Sequence, residues 1–295
     1  MDRKTFLKSL GLLALAGETM KLNALNHLNE LPHTDKMPIL FCGHGSPMNA
    51  IEENEFTKAW ANLGKTLPKP KAVLCISAHW ETKGTFVSGV EKPETIHDFG
   101  GFPQALFDVQ YPAPGSPEFA KETKNAITKT TVGIDNQWGL DHGCWSVVKN
   151  IYPQADVPVF QMSLDYTQGP QYHYDLAKQL ASLRKKGVLI IGSGNIVHNL
   201  GMIAWNKMNE PNYAYDWAIE ANTKIKSYIT SGNHSPLINY KSQGKAFDLA
   251  IPTPDHYLPL LYILGLKEEN ENISFFNDKA TMGSLTMTSI KIDKL

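Results

Sequence analysis

Residues 71–80 read KAVLCISAHW, an uninterrupted apolar run that leads to a histidine. Two other stretches have the same design, PILFCGHGSP at residues 38–47 and VLIIGSGNIVHN at residues 188–199. Each apolar run has the length and character of a strand covered on both faces. The pattern therefore predicts that His44, His79 and His198 lie at or just beyond the ends of three buried strands.

Helical spacing between these runs indicates the rest of the architecture. Helices are predicted at about residues 54–63, 116–129, 145–151, 172–186 and 212–230, and further strands at 84–89, 157–164 and 284–292. Strands that alternate with helices indicate an α/β sandwich, with helices flanking a central, largely parallel or mixed sheet. Nothing resembling a linker divides residues 36–295, so we expect a single domain.

Composition excludes several classes of function. The 295-residue chain has a formal net charge of -1 and no basic tract with interleaved aromatics. It therefore gives no electrostatic case for binding nucleic acid or an anionic membrane. Its three cysteines, Cys42, Cys75 and Cys144, form no C-x-x-C motif and no full disulfide framework. The oligomeric state is not visible in the sequence.

The N-terminal segment, residues 1–35, is set apart from the domain. Basic residues precede an uncharged run at residues 9–17 that is too short to span a bilayer, and the run contains an A-x-A-like site at residues 14–16. Residues 3–8, RKTFLK, are similar to a twin-arginine export signal with Lys4 at the second arginine position. Two interpretations stay open, namely export to the periplasm and a cytoplasmic protein with an N-terminal amphipathic helix.

The strand-end histidines suggest a metal site. In open α/β sheets, ligands bind beyond the carboxyl ends of the strands, where His44, His79 and His198 are expected. A fourth candidate, His256 in PTPDHY at residues 252–257, is placed near the start of a helix. Because three histidines share one local pattern, we hypothesise that these imidazoles meet around one metal ion. Imidazole suits both zinc and iron, and spacing does not choose between them.

The other histidines carry weaker signals. His97 and His142 could serve as groups that support the metal ligands or bind substrate, or they could be structural. His173 and His234 stand in polar sequence, which predicts a surface position without function.

A loop at residues 91–116 is rich in Pro and Gly. It contains four aromatic residues, Phe99, Phe102, Phe107 and Tyr111. Loops of this length inside compact domains tend to be lids or binding loops. Its Asp98-Phe99-Gly100 triplet matches a kinase motif, but the glycine-rich and catalytic loops of kinases are absent. No G-x-S-x-G motif supports a serine hydrolase.

Several short motifs in a fixed order give the chain a family resemblance. They are GHGSPM at 43–48, SAHW at 77–80, HDFGGFP at 97–103, YPAPG at 111–115, DHG at 141–143, GSGN through HN at 192–199 and PTPDHYLPLL at 252–261. With these motifs the chain resembles the DODA-type extradiol aromatic ring-opening dioxygenases of the LigB-like superfamily. The resemblance covers about residue 37 to the C-terminus.

The resemblance implies a metal site of His44, His79 and His256, with His198 as a fourth ligand or as the catalytic base. It also implies cleavage of a 4,5-DOPA-like catechol with O2 to a muconate semialdehyde. Fe(II) is expected for turnover, and Zn(II) is an alternative bound metal. His142 is the candidate proton donor or hydrogen-bonding partner in ring opening.

One departure keeps other functions open. Related ring-opening enzymes use two histidines and a carboxylate, whereas His256 stands at the third position here, with Asp255 beside it. An all-imidazole site would also suit a zinc-dependent hydrolase, in which the metal activates water. A non-catalytic relative that binds a metal or a peptide is a further alternative, because fold alone does not settle function.

Overall fold

The computed structural model describes residues 35–208 and 210–294. Its strands are β1 (Ile39–Gly43), β2 (Ala72–Ser77), β3 (Glu81–Thr82), β4 (Thr85–Ser88), β5 (Val132–Asp135), β6 (Val159–Gln161), β7 (Leu164–Asp165), β8 (Val188–Gly194), β9 (Glu271–Phe276), β10 (Ala280–Thr281), β11 (Leu285–Thr286) and β12 (Ser289–Lys294). Its helices are α1 (Glu55–Thr66), α2 (Gln104–Phe107), α3 (Pro117–Ala126), α4 (His142–Ile151), α5 (Pro170–Lys178), α6 (Ala181–Lys185), α7 (Asp216–Thr230), α8 (Ser235–Ile238), α9 (Lys245–Ala250) and α10 (Leu258–Gly265). Within these ranges, no helix combines the length and apolar character needed to cross a bilayer. The predicted signal-like segment, residues 1–35, lies outside the described residues apart from Asp35.

A six-stranded sheet with the order β6-β2-β8-β1-β12-β9 forms the centre of the domain. The first four of these strands are parallel, whereas β12 runs antiparallel to both of its neighbours. The predicted α/β sandwich with a largely parallel or mixed sheet is therefore confirmed, and β12 is the strand that makes the sheet mixed.

Helices cover both faces of the sheet. On β8, Leu189 and Ile191 face the core cluster that contains the α4 residue Trp145. The alternate residue Gly192 faces α10, where a Cβ would lie 2.6 Å from the carbonyl oxygen of Pro259. Because side chains alternate across a strand, β8 must be apolar or small on both faces, which explains its continuous apolar run.

The strand register brings three carboxyl ends to one place. Gly43 at the end of β1 pairs with Gly194 at the end of β8, and Ser77 at the end of β2 pairs with Ser193. The residues that follow β1, β2 and β8 therefore leave the sheet side by side.

Two predicted elements are divided in the structure. The strand expected at 157–164 splits into β6 and β7, because the chain leaves the central sheet after Gln161 and β7 pairs with β3 instead. The helix expected at 172–186 is α5 and α6. Between the two helices the backbone hydrogen bonds join residues three apart, as in a 3₁₀-helix. The Leu180 N–H donates to the Ala177 carbonyl, and the Leu183 N–H donates to the Leu180 carbonyl.

The surface position predicted for His173 is wrong. This side chain is fully buried where α5 packs against α10, and its Nδ1 lies 3.0 Å from the Tyr262 hydroxyl. The Tyr262 hydroxyl on the neighbouring helix thus provides a polar partner for the His173 Nδ1. The local sequence showed no sign of this partner and predicted an exposed side chain. His234 is partly buried, with Nδ1 2.9 Å from the Tyr174 hydroxyl.

Candidate metal centre

Two of the strand-end histidines leave the sheet next to each other. His44 follows β1, and its N–H donates to the carbonyl of Gly194 at 3.0 Å. His79 lies two residues beyond β2, and its N–H donates to the Ser77 hydroxyl at 3.2 Å. The neighbouring strands β1, β8 and β2 thus fix both backbones, as the sequence predicts.

His256 approaches the same point from the helical layer. It lies just before α10, and its carbonyl accepts a hydrogen bond from the Asn195 N–H at 2.9 Å. A Cβ on Gly194 would lie 2.1 Å from the carbonyl oxygen of His256. Only glycine at position 194 therefore permits this approach between β8 and the residues that precede α10.

The imidazoles of His44, His79 and His256 converge. The Nε2 atoms of His44 and His79 lie 3.2 Å apart, and one ring nitrogen from each of the three residues lies within 4.8 Å of the other two. The ring centroids are 4.9–5.2 Å apart. The structure thus brings together the three residues predicted to hold a metal.

An acceptor faces the Nδ1 atom of each ring. The His44 Nδ1 lies 3.0 Å from the Ser193 hydroxyl, which itself donates to the Gly143 carbonyl at 2.5 Å and so accepts from His44. Asp255 hydrogen-bonds the His256 Nδ1, and Asp98 Oδ2 lies 3.4 Å from the His79 Nδ1. These partners favour a proton on Nδ1, which leaves the Nε2 lone pairs of His44 and His79 facing each other.

Burial keeps the imidazoles of His44 and His79 neutral. It lowers the pKa of His44 well below 6.5, and the neighbouring His79 lowers it further. The pKa of His79 is also well below its usual value because of burial first and His142 second. Neutral imidazole is the form that binds metals, so His44 and His79 are in the metal-binding form at neutral pH.

The donor set fits a metal ion. Without a cation, two bare Nε2 lone pairs 3.2 Å apart would repel each other. Two nitrogens that bind one zinc ion at about 2.1 Å lie about 3.0–3.4 Å apart, which matches this separation. Behind the ligands, Asp98 and Asp255 supply the negative charge that an all-imidazole set lacks.

His198 lies beside this group rather than within it. Its ring stacks on His256 at a centroid distance of 3.5 Å and an angle of 6°. A ring nitrogen of His198 groups with Asp255 and His256, not with His44 and His79. Burial, and then the neighbouring His256, lower its pKa to about 3, so it is an uncharged proton acceptor at neutral pH.

His142 also lies in the cluster. It is the first residue of α4, after the helix cap Asp141, and its ring centroid is 3.9 Å from that of His79. Its Nδ1 lies 3.0 Å from Asp98 Oδ1. The structure thus places His142 against a predicted metal ligand. His97 instead lies 3.0 Å from the Val109 carbonyl and packs on Phe107 and Trp145.

The site includes two carboxylates that sequence reasoning missed. Asp98 contacts both His79 and His142, and its only sequence signal was its place in the HDFGGFP motif. Asp141 is fully buried, and it accepts hydrogen bonds from the Ser77 hydroxyl and the Gln161 amide, each at 2.7 Å. Burial, and then the charge of Asp98, raise the pKa of Asp141 to about 6.

The 91–116 loop contributes aromatic side chains beside the histidines. Phe99 meets His142 edge to face at 5.5 Å and packs on Phe102 and Phe107. Tyr111 is buried, and its hydroxyl donates to the carbonyl of Tyr152. Phe99 is thus the loop aromatic that reaches the histidine cluster, whereas Tyr111 belongs to the core.

Comparison with known proteins connects this geometry to a family. The model of the catalytic LigB subunit of aromatic ring-opening dioxygenases matches residues 31–288. The chain is 45% identical to the 4,5-DOPA dioxygenase extradiol of Escherichia coli K12 over 87% of this chain and 95% of the relative. It is 35% identical to the protein of the same name from Beta vulgaris, over 85% of this chain and 94% of the relative.

A solved structure agrees with the sequence comparisons. The crystal structure of an uncharacterized protein from Escherichia coli K12 superposes with a TM-score of 0.76 at 40% identity. The match covers 88% of this chain and 100% of that chain. Members of the family are metal-dependent, and the histidine and aspartate cluster provides a possible metal site. The chain is therefore an enzyme that belongs to the LigB family of aromatic ring-opening dioxygenases.

Proposed function

We propose that this enzyme cleaves a catechol ring with O2 at an extradiol position and releases a muconate semialdehyde. The convergence of three imidazoles, with the imidazole of His198 stacked beside them, is the observation that carries the proposal. Family membership supports this dioxygenase over the zinc hydrolase and the non-catalytic binding protein that the sequence left open.

His44, His79 and His256 would hold the metal ion through Nε2. Three protein ligands leave coordination positions for exogenous ligands, as in other catalytic metal sites. When bound, Fe(II) acidifies the catechol hydroxyls and supplies the redox chemistry that dioxygen requires. Zn(II) suits the same imidazoles but has no redox chemistry, so we expect zinc to bind without supporting turnover.

His198 is proposed as the catalytic base. Its ring is held parallel to that of a metal ligand, and its low pKa keeps it able to accept a proton. A catechol that binds at the centre would present a hydroxyl proton to this ring, which must then lie within hydrogen-bond reach.

His142 is proposed as the group that donates a proton or a hydrogen bond during ring opening. Asp98 engages its Nδ1 edge, which leaves Nε2 for the substrate. Phe99, which packs edge to face on His142, would border the space taken by the aromatic ring.

The substrate is proposed to be a 4,5-DOPA-like catechol. The names of the relatives from Escherichia coli and Beta vulgaris support this class of substrate. Catechols that differ only in the side chain, such as L-DOPA and caffeate, test how much of the specificity lies outside the diol.

Oxygen uptake tests the proposal. Metal-free protein is reconstituted with Fe(II) under anaerobic conditions and mixed with L-DOPA, caffeate or catechol in air. We expect oxygen consumption together with a yellow product, and neither from zinc-loaded protein or from the His44→Ala variant. Absence of oxygen uptake with every catechol would overturn the proposal, and ester or amide hydrolysis with zinc and without oxygen would favour the hydrolase.

A further inference from the structure

Asp98 contacts two different histidines of the site with its two carboxylate oxygens. Oδ1 lies 3.0 Å from the Nδ1 of His142 and accepts a hydrogen bond from the His142 backbone N–H at 2.9 Å. Oδ2 lies 3.4 Å from the Nδ1 of His79. Asp255, by comparison, hydrogen-bonds His256.

The chain on either side of Asp98 is held firmly. The N–H of Ile96 donates to the Leu140 carbonyl at 2.7 Å, and the Trp145 indole donates to the Ile96 carbonyl at 2.8 Å. On the other side, Phe99 packs against Trp145 and His142. Helix α4 and the residue before its cap thus fix the backbone that carries the carboxylate.

An aspartate carboxyl group is ionised at neutral pH, because its usual pKa is about 3.9. An ionised carboxylate can accept from two imidazole N–H groups at once, one on each oxygen.

We propose that Asp98 is a positioning residue that orients His79 and His142 together, so that one carboxylate places a metal ligand and the proton-donating imidazole in a fixed relation. The part assigned to His142 rests on the proposed function, whereas the orientation of the two rings does not. Carboxylates behind metal-bound histidines fix the ring and its tautomer, and their loss typically weakens metal binding about 10–100-fold.

Three isosteric substitutions separate this role from a general effect of charge. Asp98→Asn removes the shared carboxylate, and Asp255→Asn removes the carboxylate that bonds His256. Asp108→Asn changes an exposed carboxylate in the same loop, where the partner is the Gln104 side chain. Long-range proton–nitrogen NMR of the zinc-loaded proteins reports the tautomer and environment of each imidazole.

We expect Asp98→Asn to shift the imidazole signals of both His79 and His142. Asp255→Asn should shift the signal of His256 and leave those of His79 and His142 unchanged. Asp108→Asn should shift none of these signals. Chelator competition should show zinc affinity about 10–100-fold lower for the first two variants and unchanged for the third. A spectrum in which Asp98→Asn leaves either His79 or His142 unperturbed would overturn the proposal.

Kinetics at saturating Fe(II) provide a second readout. We expect Asp108→Asn to keep the wild-type kcat, because this exposed carboxylate lies outside the site. Asp98→Asn should stay at least about tenfold below wild type, because His142 remains misplaced. Full recovery of kcat by Asp98→Asn would contradict the link to His142. If the wild-type protein consumes no oxygen, the proposed function fails, while the imidazole spectra and zinc affinities still decide the role of Asp98.

Discussion

At the residue scale, the partner of each Nδ1 atom determines what the site can do. Ser193, Asp98 and Asp255 face the Nδ1 atoms of the three converging histidines, so Nε2 is the nitrogen available in every case. Replacing such a partner would leave the histidine in place but free its ring to rotate or to change tautomer. The chemistry of the centre thus depends on residues that do not touch the metal.

His198→Ala tests whether His198 is a base or a ligand. Because its ring lies beside the converging trio, we expect the metal content to be unchanged and kcat to fall about 10²–10⁴-fold. Metal analysis and oxygen uptake on the same sample measure the two effects. His256→Ala is the matched comparison and should lose the metal, whereas loss of metal from His198→Ala would identify His198 as a ligand.

Gly143→Ala tests the tight packing behind His79. A Cβ at this position would lie 2.6 Å from the Ser77 hydroxyl and 2.8 Å from the His79 ring. We expect zinc affinity to fall at least about tenfold and the free energy of unfolding to fall by about 1–3 kcal/mol. Gly169→Ala is the control, because a Cβ at position 169 meets no atom within 4 Å. Equal zinc affinity of the two variants would show that His79 tolerates the displacement.

At the element scale, buried polar pairs join the helices that cover the sheet. Between α5 and α10, His173 is fully buried with its Nδ1 3.0 Å from the Tyr262 hydroxyl. Just after α10, the Leu266 carbonyl accepts a hydrogen bond from Arg184, which is fully buried and pairs with Glu271 at the start of β9. These contacts fix how α10, and with it His256, sits on the sheet.

His173 should make stability depend on pH. Burial lowers its pKa to about 4 from 6.5, so the unfolded chain binds a proton that the folded chain does not between those values. The free energy of unfolding is therefore unaffected by this histidine above about pH 6.5, and it falls as the pH is lowered towards 4. Linkage gives a loss of about 2 kcal/mol between pH 7 and pH 5.

Urea unfolding of wild type and His173→Asn at pH 7 and pH 5 measures this loss. Asparagine keeps a polar partner for Tyr262 but cannot titrate, so the variant should lose about 2 kcal/mol less than wild type over this interval. Equal losses in the two proteins would show that His173 does not titrate as its burial implies.

Local patterns predicted the elements that are apolar throughout and missed those that depend on distant partners. The apolar runs before His44 and His79 and within β8 were sufficient to predict strands, because a strand buried on both faces must be continuously apolar. The helices α8 and α9 and the strand β9 were not predicted, because the two helices are short and β9 is partly polar and depends on pairing with β12. The same reason explains Asp98, whose function arises only where its loop meets α4.

At the scale of the whole molecule, the candidate metal centre takes its ligands from both the sheet and the helical layer that contains α10. Its ligands come from two strand ends and from the residues before α10, so a metal ion that binds the folded chain should stabilise all of it. At a free metal concentration of 100 times Kd, the stabilisation is about 2.7 kcal/mol. For a domain of this size we expect a rise in Tm of roughly 5–10 °C.

Thermal unfolding with and without zinc, followed by chelation, measures this rise. The His44→Ala variant should melt at the same temperature in both conditions, because one of the three ligands is missing. An equal response of wild type and His44→Ala to zinc would place the bound ion elsewhere.

The position of β1 between β8 and β12 has a consequence for the order of events on the ribosome. The strand that carries His44 is made early, but its partners include residues 188–194 and the last strand, residues 289–294. Both edges of β1 stay open until residues 188–194 emerge, and the edge that pairs with β12 is still open when His256 is synthesised. The nascent chain therefore cannot assemble its three imidazoles before His256 emerges, and metal loading must wait while an apolar strand is exposed to aggregation.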